Sequence, residues 1–66
     1  MMKKNVWIVD DDQDVREALR AMLKILGYES REFDDARTPA HALMVEDTPA
    51  LMIIGYSILY SIIHVL

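Results

Sequence analysis

Val6-Trp7-Ile8-Val9-Asp10-Asp11-Asp12 is the stretch on which the fold turns. Four consecutive apolar residues, each β-branched or aromatic, predict a short strand buried on both faces, as in a parallel sheet. The abrupt change to three carboxylates marks where that strand leaves the core. From there the apolar residues recur at Val15, Ala18, Leu19, Met22, Leu23 and Leu26, one face of a helix, with Arg16, Glu17, Arg20 and Lys24 opposite. Asp14 is expected to cap this helix while Glu17 reaches back in a capping box, and Gly27 to stop it in a left-handed conformation, so the helix covers residues 14–26. Tyr28 to Phe33 carries aromatics at its ends and charges inside, the pattern of an edge strand.

The second half repeats the alternation. Asp34-Asp35 predicts a turn, and Thr38-Pro39 an N-cap followed by proline in the first helical position, giving a helix from 36 or 39 to 46 with Ala36, Ala40, Leu43 and Met44 inward. Thr48-Pro49 breaks it. Ala50-Leu51-Met52-Ile53-Ile54 is a second uninterrupted apolar run, ending at Gly55, and predicts a central strand. Strands alternating with amphipathic helices give a βαβαβ order, a parallel sheet with right-handed crossovers and the half-unit of a doubly wound α/β domain. Such sheets gather their ligands at the carboxyl ends of the strands.

Composition sets the outer bounds. Sixty-six residues allow one small domain with a marginal core, which excludes large enzymes and multidomain architectures. With 53% hydrophobic residues the chain is too apolar for a disordered tail. Seven Lys plus Arg against eleven Asp plus Glu leave a net charge of −4, which argues against a direct nucleic-acid partner. The absence of cysteine rules out disulfides and thiolate metal sites and fits a reducing, cytoplasmic setting, as does the lack of a signal-peptide core after Lys3-Lys4. No Ser/His/Asp constellation or glycine-rich phosphate loop is present, so no enzyme activity is expected. His41 and His64 each stand alone and suggest no zinc site, and Met22, Met44 and Met52 are assigned to core faces.

Asp10, Asp11 and Asp12 are the one cluster with chemistry in it. At the carboxyl edge of a sheet, adjacent carboxylates repel unless solvent, protons or a cation offset them, and Mg²⁺ is the natural counter-ion. The competing reading makes Asp12 or Asp14 a helix cap and leaves the others solvated. Together with Val15-Arg16, the Leu19/Leu23 helix, Gly27-Tyr28 and Phe33, the Val6–Asp12 opening resembles the first half of a response-regulator receiver domain, most closely the nitrogen-regulator (NtrC) subclass, over about Lys4 to Ile54. The resemblance implies a truncated flavodoxin-like (CheY-like) βαβαβ fold over residues 1–55. It also implies Mg²⁺ bound weakly by Asp10 and Asp11, with Asp12 as the alternative second ligand, and a carboxylate after strand three that accepts phosphate from a histidine kinase. Counting along this chain, the acceptor position falls on Gly55, or on Ile54 if the preceding loop is one residue shorter. Neither can accept a phosphoryl group, and the hydroxyls of Tyr56 and Ser57 cannot form the acyl phosphate. The family's fourth and fifth strands have no counterpart, which suggests truncation, a frameshift or a reassigned terminus.

Residues 56–66 form an apolar tail outside that resemblance. The seventeen residues from Ala50 to Leu66 carry no charge and meet the lower limit of the roughly 17–25 needed to span a bilayer. Ile58, Leu59, Ile62, Ile63 and Leu66 would line one face of a closing helix, with Ser57 and Ser61 on another, and a further strand is the alternative. An exposed sheet edge beside an apolar tail predicts a homodimer or higher assembly. The expected function is a phosphorylation-incompetent receiver-like module of two-component signalling that associates with a histidine kinase or another two-component protein. Its rivals are a small membrane-associated protein inserting residues 50–66 and a non-functional gene fragment.

Overall fold

The computed structural model describes residues 4–46 and 48–65. Six elements follow one another: β1 (Asn5–Val9), α1 (Gln13–Ile25), β2 (Glu29–Phe33), α2 (Arg37–Val45), β3 (Leu51–Ile54) and α3 (Tyr56–Val65). The strands form one parallel sheet in the order β2-β1-β3, with Val9 opposite Phe33 on one side and Ile54 on the other. The chain steps from β1 outward to β2 and then back across to β3. With right-handed crossovers that reversal puts α1 and α2 on opposite faces. The fold is therefore the α/β βαβαβ arrangement expected from the sequence, consistent with a truncated CheY-like fold.

β1 is central because it has the least tolerance for water. Val6, Trp7, Ile8 and Val9 are all buried, and they are the largest fully buried side chains. Trp7 and Val9 join Phe33 and Ala42 in a core on the α2 face, with Met52, Ile54 and Ile58 packed against it. Alternation turns Val6 and Ile8 to the other face, which α1 covers. Burial of these four side chains at about 1.5–3 kcal/mol each is the main term holding the sheet.

Several local expectations are corrected. Asp12, not Asp14, caps α1: its side chain accepts from the backbone N–H groups of Asp14 and Val15, because the helix starts one residue earlier, at Gln13. Gly27 does stop the helix, with φ at +90°. No α1 residue is fully buried, and Met22 and Leu26 are mostly exposed, since a three-stranded sheet is too narrow to cover more than the Leu19 and Leu23 stripe. α2 begins at Arg37 with no side-chain bond from Ala36; Asp35 Oδ1 accepts from Thr38 N–H instead at 3.0 Å. Pro39 thus falls third in the helix, where its missing N–H still costs no helical bond. Pro39 and Ala42 are the buried α2 residues, while Ala40, Leu43 and Met44 are exposed, because the small Ala42 lets the helix settle on Trp7 and Phe33.

Among the described residues β3 lies at the edge of the sheet and not at its centre, with β1 as its one neighbour and Leu51 56% exposed. The tail is a helix, so the alternative of a further strand falls away for residues 56–65. Leu66 lies outside the described residues. Ten residues of helix span about 15 Å, against a hydrocarbon core of about 30 Å. Among the described residues no helix is long and apolar enough to cross a membrane.

Candidate functional site

β1 and β3 end side by side, so the residues that follow them meet. The register pairs Val9 with Ile54, and Gly55 N–H extends the ladder by donating to Val9 O at 2.7 Å. On the other side Asp10 N–H donates to Phe33 O at 3.0 Å. Asp10 is therefore anchored to the end of β2, and Gly55, bonded to the preceding Val9, stands next to it.

The carboxylate of Asp10 fills the space a side chain at position 55 would take. A Cβ built on Gly55 would collide with Asp10 Oδ2 and lie 2.7 Å from Asp10 Cγ. Asp10 Oδ1 accepts from Asp12 N–H at 2.9 Å, an Asx-type turn that starts the path into α1. Asp12 Oδ1 in turn accepts from the N–H groups of Asp14 at 2.9 Å and Val15 at 3.4 Å. This places its negative charge at the positive end of the α1 dipole. Asp11 turns elsewhere: its Oδ1 accepts from Ser57 Oγ at 3.1 Å, joining the β1–α1 loop to the first turn of α3 across 46 residues of sequence.

Each of the three carboxylates thus serves a different donor. Among the described residues no three His, Cys, Asp or Glu side chains converge as a metal site. Asp12 is committed to its cap, and Gly55 brings no carboxylate. Asp10 and Asp11 remain as two acidic groups at one edge, a negative surface without a third ligand.

Two residues here have roles that the sequence reading did not give them. Arg16 was placed on the solvent face of α1, yet its side chain is 14% exposed and folds over the sheet edge. Its Nη1 donates to Asp10 O at 2.6 Å and its Nε lies 3.5 Å from Glu32 Oε1. One guanidinium therefore ties the end of β1 to β2. An arginine in the first turn after an acidic run was the available signal. Ser57 was weighed as a phosphate acceptor, whereas its hydroxyl holds Asp11. The remaining flagged residues lie apart: Tyr56 is exposed, and His64 stacks on Tyr60 at 3.8 Å with its Nδ1 2.9 Å from Tyr60 O.

At the same edge Asp35 accepts the Thr38 backbone N–H, and this hydrogen bond, seconded by the Thr38 side chain and the neighbouring Arg37, holds its carboxyl below the usual range. The group is exposed and acts as a cap for α2.

A parallel β2-β1-β3 sheet with acids after β1 and a helix capped by the last of them is an α/β βαβαβ arrangement consistent with a truncated CheY-like fold. Comparison with known proteins agrees. Over 56 residues, 85% of this chain, the sequence is 34% identical to the phosphate regulon transcriptional regulatory protein PhoB of Pseudomonas aeruginosa, a response regulator. The match covers 24% of that protein's length, so the chain spans about a quarter of the relative it resembles. This likeness supports a receiver-domain relationship. No family model matches the chain, and no solved structure matches it significantly.

Proposed function

We propose that this chain is a receiver-like module of two-component signalling that does not accept a phosphoryl group and works by protein association in the cytoplasm. The observation that carries this reading is the pairing of Asp10 with Gly55. In support, Gly55 directly follows β3, where the receiver resemblance leads one to look for the acceptor carboxylate, and the Asp10 carboxylate lies against it. The nitrogen-regulator likeness of the Val6–Asp12 opening is part of the same reading, alongside the similarity to a phosphate regulator. Mg²⁺ acts only as an exchangeable counter-ion of Asp10 and Asp11, weakly and in a salt-sensitive way. No enzymatic activity is assigned.

Incubation with acetyl phosphate and Mg²⁺ should leave the intact mass unchanged, and a hydroxylamine-sensitive phosphorylated species would overturn the assignment of position 55. Association has its own test. Added to a histidine kinase and an intact receiver, the chain should slow phosphotransfer without becoming labelled itself; unaltered transfer at saturating chain would count against a two-component partner.

A further inference from the structure

We draw no further inference here: the strongest candidate, the cleft at the amino end of the sheet lined by Asn5, Trp7, Arg31, Val45 and Glu46, carries nothing, because Arg31 and Glu46 already pair with one another there at 2.9 Å, the unpartnered Trp7 indole N–H is buried out of a ligand's reach, and nothing in the structure shows what would occupy the cleft.

Discussion

Replacing Gly55 separates two effects at the sheet edge, steric displacement and charge repulsion. Gly55→Ala adds a Cβ that lies 2.7 Å from Asp10 Cγ, so the Asp10 side chain must rotate away and give up the Asp12 N–H it accepts at 2.9 Å. Losing a charge-assisted hydrogen bond costs about 1.5–3 kcal/mol, and removing glycine's freedom in the unfolded chain returns about 0.4–1 kcal/mol. Gly55→Ala should therefore destabilise by about 1–2 kcal/mol. Gly55→Asp adds a second carboxylate about 4 Å from the first, a repulsion of about 1 kcal/mol in water and about 4 kcal/mol at an effective dielectric of 20. At this partly exposed edge the lower half of that range applies, so Gly55→Asp should be about 1–2 kcal/mol less stable than Gly55→Ala at neutral pH. The sign with pH follows. A carboxyl whose folded pKa is raised by a like-charged neighbour lends stability below its unfolded pKa of about 4 and loses it as pH rises. The gap between the two variants should close in acid, open toward neutrality and narrow on adding Mg²⁺. Urea unfolding followed by the fluorescence of Trp7, the sole tryptophan, measures it. Equal stabilities at neutral pH, or a gap that persists in acid, would refute the placement of Asp10 against position 55.

Five further substitutions, at four sites, test the surrounding structure. Asp12→Ala should cost about 1 kcal/mol in urea unfolding through loss of the α1 cap, and Asp14→Ala much less, the reverse of what the capping-box pattern implies. Trp7→Phe should change stability by less than about 1 kcal/mol by circular dichroism, because the lost ring volume is offset by removal of an indole N–H buried without a hydrogen-bond partner. Trp7→Ala should instead cost about 3–5 kcal/mol, enough to unfold so small a domain. Asp35→Ala should destabilise α2 at neutral pH but not in strong acid. A carboxyl with a lowered folded pKa contributes above its unfolded pKa, and that contribution is lost as pH falls through the folded one. Thermal melts of both chains across the acid range should converge.

The response-regulator resemblance and the edge chemistry belong to different levels of information. The order of strands and helices follows from local patterning: Val6 to Val9 and Leu51 to Ile54 are continuous apolar runs, and the intervening helices repeat at three and four residues. Solvent exclusion and backbone sterics act within such windows, so the sequence alone determined the βαβαβ order, the burial of β1 on both faces, the stop at Gly27 and the position of the acids after β1. Which carboxylate does what was not local. Asp12 takes the cap from Asp14 because the helix begins where the sheet releases the chain, and Asp11 meets Ser57 only once α3 has folded back. The rotation of α2 that buries Ala42 and exposes Met44 depends on the shape of Trp7 and Phe33 beneath it. The exposed positions of Met22, Leu26 and Leu51 depend on the width of the three-stranded sheet that the described residues form. An apolar pattern reports that a residue can be buried. Only the tertiary structure decides whether anything is there to bury it, because burial requires a second surface, and its place is set by residues far away in the chain.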